Sequence, residues 1–110
     1  MGITRKDEVL VPNLTYPATI NAISLLGAKP VLVDINKNDL LMDTKDLNRK
    51  ITKKTKAIVT VHISGRGSNI KKLCKIAKKR KVQLVEDAAE AFMSKINGKS
   101  LVAYLIKNLL

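Results

Sequence analysis

With 110 residues, the chain has room for one small domain or a piece of a larger one. It is 45% hydrophobic but only 3% aromatic, so any core is aliphatic and the stacking platforms of single-strand nucleic-acid binders are missing. The formal charge of +12 rests mainly on lysines spread through every segment rather than on arginine forks, which argues against nucleic-acid recognition and for a solvated basic surface.

One cysteine, Cys74, cannot form an internal disulfide and fits a reducing compartment. No apolar run is long enough to span a bilayer. The opening Met1-Gly2-Ile3-Thr4-Arg5-Lys6 lacks the apolar centre of a secretion signal and has Lys6 where a myristoylation signal needs Ser or Thr. These features describe a cytoplasmic protein without a membrane partner.

Glu8-Val9-Leu10-Val11-Pro12 reads as a short strand stopped at Pro12 and Asn13. Pro17 is a favoured first helical residue, and the segment through Ile20, Ile23, Leu25 and Leu26 is apolar nearly all round. Such a helix is expected to be buried on more than one side, with Gly27 as its C-terminal stop. A second strand runs from Pro30 to Ile35. Its near-continuous apolar character suits a strand covered on both faces. Asp43 or Thr44 can cap a following helix that carries Leu47 and Ile51 on one face.

The third strand covers Ala57 to Ile63, and a loop from Ser64 to Asn69 follows. Ile70, Leu73, Cys74 and Ala77 then form the stripe of an amphipathic helix, with Lys71, Lys72, Lys75, Lys78 and Lys79 on its solvated face. Cys74 on that stripe is a packing residue. The fourth strand is Val82 to Val85. Strand and helix alternate throughout, which predicts a three-layer α/β fold with one mainly parallel sheet. An incomplete sheet of this kind should have an open edge. From Lys99 to Leu110 the character changes to an apolar tail with Leu101, Leu105 and Leu109 in helical spacing.

The fourth strand runs straight into Glu86-Asp87-Ala88-Ala89-Glu90-Ala91. In an open parallel sheet, ligands bind at the carboxyl ends of strands. Two carboxylates there, beside small residues that allow close approach, mark a candidate site. Taken alone, a strand-end acid such as Asp87 more often caps a turn or a helix start. His62 follows the third strand onto the same rim. It reads as a packed or hydrogen-bonded structural histidine rather than a base.

The order of these segments resembles the DegT/DnrJ/StrS group of pyridoxal-phosphate-dependent sugar aminotransferases, a group that includes perosamine synthase-like enzymes. The matching words are Glu8-Val9-Leu10-Val11-Pro12, the Leu14–Ala22 stretch with Thr15-Tyr16-Pro17-Ala18-Thr19, and Gly27-Ala28-Lys29-Pro30-Val31-Leu32-Val33-Asp34. Thr55-Lys56-Ala57-Ile58, Val61-His62 and Glu86-Asp87-Ala88-Ala89-Glu90-Ala91 continue the series. The resemblance implies a fold-type I architecture, with residues 1–98 as part of its large domain and 99–110 as a divergent tail.

The resemblance also implies site roles. Asp87 would pair with the pyridine nitrogen of pyridoxal phosphate and keep it protonated, so that the ring can accept electrons. Tyr16 would stack on the ring, although its own sequence fits a partly buried helix-start tyrosine as well. Glu90 stands where the family has Gln. An ionised Glu cannot donate the hydrogen bond that an amide gives to the ring oxygen. No metal ligand set is implied.

The family's Ser-Gly-Thr phosphate loop precedes the first matched word, and its Schiff-base lysine follows Asp87 in a Ser-containing loop. Neither has a counterpart in this sequence. Lys107 is the one late lysine, and its neighbours Ile106 and Asn108 do not match the motif. The expectation is therefore a piece of an aminotransferase that does not complete the reaction alone. Intact relatives would move an amino group from glutamate to a nucleotide-linked ketosugar, as homodimers. The alternatives are a basic polyanion-binding module and a non-catalytic piece that docks on an intact aminotransferase through the tail from Leu101.

Overall fold

The computed structural model describes residues 2–67, 69–91, 93–96 and 98–100. The tail from Leu101, with Lys107, lies outside the described residues. Four strands form one sheet: β1 (Glu8–Pro12), β2 (Lys29–Val33), β3 (Thr55–Val61) and β4 (Gln83–Asp87). Their spatial order is β2-β1-β3-β4, and every adjacent pair is parallel. The helices between them are α1 (Pro17–Leu25), α2 (Thr44–Lys50) and α3 (Ile70–Arg80).

Strand alternation sorts the apolar residues onto two faces. Leu10, Val33, Ile58 and Leu84 pack with Leu47 of α2 and with Ile70, Leu73, Cys74 and Ala77 of α3. Val9, Val11, Ala57 and Val59 pack with Ile23 of α1 and Ala28. The expected three layers are therefore present. Their arrangement follows from crossover handedness. The chain moves outward from β1 to β2 through α1, then reverses to reach β3 and β4. Crossovers of one hand that run in opposite directions must lie on opposite faces, so α1 faces α2 and α3 across the sheet.

Local chemistry sets the element ends. Pro17 occupies the first turn of α1, where its missing N–H costs nothing. Gly27 stops the helix at φ +77°, with its N–H donating to the Ser24 carbonyl at 2.8 Å. A Cβ on Gly27 would sit 2.7 Å from the Arg5 side chain. Of the two candidates for the α2 cap, Asp43 fills the role: its Oδ1 accepts the Lys45 N–H at 2.8 Å.

Two expectations about burial fail. Leu25 of α1 is 88% exposed and Leu26 is 59% exposed; Ile23 is the buried residue of this helix. One side of α1 rests on the sheet, and the described residues place nothing on its other sides. β2 is an edge strand, so Leu32 remains about half exposed despite the apolar run around it. A short antiparallel pair, β5 (Lys95–Ile96) with β6 (Lys99–Ser100), follows the rim. No helix among the described residues is long and apolar enough to cross a membrane.

Candidate functional site

β4 ends at Asp87, and the parallel sheet brings that end beside the loop that leaves β1 and starts α1. Alternation decides which face each acid takes. Val85 belongs to the α1 side, so Asp87 does too; Leu84 belongs to the opposite side, and Glu86 continues it. A cleft of about 560 Å³ opens between α1 and the α1-facing side of β1, β3 and β4. Val9, Ala57, Val59 and Val85 form its apolar floor. Ala18, Thr19 and Ala22 line the α1 wall, and Asp87, Ala88 and Ala89 line the rim.

Asp87 is held from two directions. Its Oδ2 accepts the Thr19 hydroxyl at 2.6 Å, and its Oδ1 accepts the Ala89 N–H at 3.2 Å. Each carboxylate oxygen offers about two acceptor sites, so both keep a free one. The Thr15 hydroxyl in turn donates to Thr19 Oγ1 at 3.1 Å. Tyr16 is the N-terminal flank of α1 and lines the same cleft, with 75% of its surface exposed. It is therefore not the partly buried tyrosine that a helix start alone would suggest.

Glu90 lines the cleft as well, but its carboxylate is engaged elsewhere. Oε2 accepts the Ser64 N–H at 2.7 Å, in the turn after β3 where Ser64 has φ +51°. His62 is fully buried, and its Nε2 bonds Glu86 Oε1. Its backbone N–H donates to the Asp87 carbonyl at 3.1 Å. His62 thus shares the rim with Asp87 and Tyr16, but its ring pairs with the acid that alternation assigns to the other face.

A second acid network ties α2 to the end of β2. Asp46 of α2 is 5% exposed and accepts the Asp34 N–H at 2.8 Å and the Lys50 ammonium at 2.9 Å. The Asp34 N–H, then Lys50 and Arg49, hold the Asp46 carboxyl at about 2 against an ordinary 3.8, outweighing burial. Asp34 Oδ1 accepts the Asn13 side-chain amide at 2.8 Å, which ties the end of β2 to the end of β1.

The described residues contain no group of three or more His, Cys, Asp or Glu placed to hold a metal ion. The cleft does suit one end of a flat heteroaromatic ring. A carboxylate with free acceptor sites stands at one wall, alanines allow close approach, and an aromatic face lies at the mouth. Thr19 has no counterpart among the sequence candidates. A threonine in a first helical turn gives no local sign of a partner 68 residues away.

The sequence pattern of the DegT/DnrJ/EryC1/StrS aminotransferase family matches residues 1–104. The chain is 46% identical over 99 residues to GDP-perosamine synthase of Escherichia coli O157:H7, covering 90% of the chain and 27% of that protein. Among solved structures it is similar to DesV of S. venezuelae in complex with a ketimine intermediate, with 37% identity and a TM-score of 0.80. That match covers 82% of this chain and 24% of DesV. Similarity extends to NtdA of Bacillus subtilis with bound cofactor PMP, with 33% identity and a TM-score of 0.83 over 90% of this chain and 23% of NtdA. The chain thus spans about a quarter of the length of the relatives it matches.

Proposed function

Because this chain belongs to the DegT/DnrJ/EryC1/StrS aminotransferase family, we propose that its rim is part of a pyridoxal-phosphate site of a sugar aminotransferase. The proposed overall reaction transfers an amino group from glutamate to a keto group on a nucleotide-linked deoxysugar. The supporting observation is the Asp87 carboxylate at the end of β4, turned into a cleft that Tyr16 and Thr19 also line.

When bound, the cofactor supplies an electron sink for the carbon that exchanges its amino group. The residues of this chain do the rest of what is proposed. Asp87 holds a proton on the ring nitrogen, because an adjacent negative charge favours the charged ring. Tyr16 would stack on the ring and leave its polar groups free. Ala88 and Ala89 allow the ring edge to approach the strand end. Val59, Val85 and Ala57 would give the bound group an apolar floor that excludes water.

These residues cannot hold the cofactor tightly. One ionic hydrogen bond contributes on the order of 1.5–3 kcal/mol. Stacking adds about 0.5–1.5 kcal/mol. Their sum, about 2–4.5 kcal/mol before association entropy is subtracted, corresponds to millimolar binding or weaker. The 110-residue chain by itself is therefore proposed to bind pyridoxal phosphate weakly and not to complete transamination.

The test is a titration of the purified chain with pyridoxal phosphate, followed by amide chemical shifts and by absorption with and without borohydride. The expected result is millimolar binding centred on Asp87 and Tyr16, lost in Asp87→Ala and weakened in Tyr16→Ala. Unchanged binding in both variants would remove the site assignment. Cofactor fixed by borohydride on Lys107, together with amino transfer from glutamate, would show a minimal enzyme instead.

A further inference from the structure

Asp87 needs its charge, and it needs a fixed direction. An arginine or lysine would supply the direction but would compete with the ring cation for the charge. A hydroxyl orients the carboxylate and leaves its formal charge in place. The structure has that arrangement, with Thr19 Oγ1 donating to Asp87 Oδ2 at 2.6 Å.

A threonine hydroxyl has one proton and can donate it in only one direction at a time. The Asp87 carboxylate settles which: ionised, it can only accept, so Thr19 gives it the proton and in turn accepts from the Thr15 hydroxyl at 3.1 Å. Successive donors in such a chain polarise one another. Thr19 is also β-branched, which restricts its χ1 in the helix to two main rotamers.

The two threonines bracket Tyr16 and Pro17 in the opening turn of α1. The Thr19 N–H donates to the Tyr16 carbonyl at 3.1 Å, so the same residue touches both the backbone of the aromatic and the acid of β4. Pro17 restricts the backbone between them. The hydroxyl relay therefore links the segment that carries Tyr16 directly to the acid of β4. We propose that Thr19 is a positioning residue that fixes the Asp87 carboxylate relative to the Tyr16 ring, with Thr15 bracing and polarising the Thr19 hydroxyl from behind. This rests on the cofactor-site reading above.

The experiment has a ligand-free arm and a cofactor arm, both on the full 110-residue chain. In the first, proton NMR searches for a Thr19 hydroxyl resonance that survives in water and moves in Asp87→Asn. Its absence would overturn the relay, whatever the cofactor does. In the second, pyridoxal 5′-phosphate labelled with ¹⁵N in the ring is titrated into wild type, Thr19→Val, Thr19→Ser and Thr15→Val.

Thr19→Val should lose about tenfold in affinity, the scale of one hydrogen bond to a charged group, and should shift the bound ring nitrogen toward its unprotonated position. Thr19→Ser should stay within about twofold of wild type, and Thr15→Val should lose about two- to threefold. A purely structural Thr19 would weaken binding without moving the ring-nitrogen signal, and that result would overturn the proposal. So would a Thr19→Ser variant as poor as Thr19→Val. If Thr19→Val does not fold, Thr15→Val decides: wild-type affinity and ring-nitrogen position in that variant would overturn the relay. A hydroxyl signal in a wild-type chain that binds no cofactor would sink the cofactor-site reading, and with it any role of Thr19 toward a cofactor, while leaving the hydrogen bond itself standing.

Discussion

His62 and Glu86 close the carboxyl end of the β3–β4 pair: the imidazole Nε2 bonds the Glu86 carboxylate, and the His62 N–H donates to the carbonyl of the next residue, Asp87. One residue therefore fixes both the acid before Asp87 and the backbone that carries it. His62 is fully buried and Glu86 nearly so.

Removing one partner of a buried pair leaves the other without compensation. His62→Ala should therefore destabilise the chain by about 3 kcal/mol or more, read as a lower midpoint in urea unfolding. Combining it with Glu86→Leu should recover part of the loss, since the uncompensated carboxylate is then gone. Additive losses in the double variant would show that the two side chains do not depend on each other.

Asp46 makes stability depend on pH in acid. Its folded carboxyl sits at about 2, below the ordinary 3.8. A group depressed in this way stabilises the fold above its unfolded value. That contribution falls away as pH drops from about 4 through about 2. A shift of this size is worth roughly 2 kcal/mol. Asp46→Asn should cost about that much at pH 7 and almost nothing at pH 2, in urea unfolding at both values. An equal cost at both would mean that the Asp34 and Lys50 contacts do not act through the charge.

The strands and the position of Asp87 were legible because both rest on short-range chemistry. Apolar runs broken by Pro12, Gly27 and polar loops define the sheet, and β4 leads directly into its acids. What stayed hidden depends on neighbours far along the chain. The apolar pattern of α1 predicts burial on more than one side, yet among the described residues Ile23 is the only one of this helix that is buried. The run around Leu32 looks central, but strand order puts it on an edge. The β5–β6 pair had a readable sign in Asn97-Gly98 between Ile96 and Lys99, a two-residue turn signal. Thr19 had none, because its role is defined only once α1 and β4 meet.

Cys74 provides a probe of the α3 core. It is 6% exposed, and burial pushes its thiol above the ordinary value, with Lys78 acting weakly in the other direction. The thiolate is the reactive form, so native Cys74 should resist a thiol reagent at pH 8 and react fully in denaturant. Rapid native labelling would indicate that α3 opens from the sheet.

Glu90 offers a test of the rim's chemistry at one atom. Its Oε2 accepts the Ser64 N–H at 2.7 Å, so the side chain now acts as an acceptor toward the turn after β3. A glutamine at this position can keep that bond through its carbonyl oxygen and gains an amide N–H₂ group to give elsewhere. It also removes one of the three carboxylates, with Glu86 and Asp87, that line the cleft. A ring bearing an anionic oxygen should gain from both changes. Glu90→Gln should therefore bind pyridoxal phosphate about three- to tenfold more tightly than wild type, the scale of one hydrogen bond. Urea unfolding should be nearly unchanged, because the bond to Ser64 survives. Glu90→Ala separates the two effects. It removes the charge but offers no donor, and it frees the Ser64 N–H, so it should gain less affinity and lose stability by about 1 kcal/mol. Equal binding by wild type, Glu90→Gln and Glu90→Ala would mean that position 90 does not face the ring, and would confine the cofactor contacts to Asp87 and Tyr16.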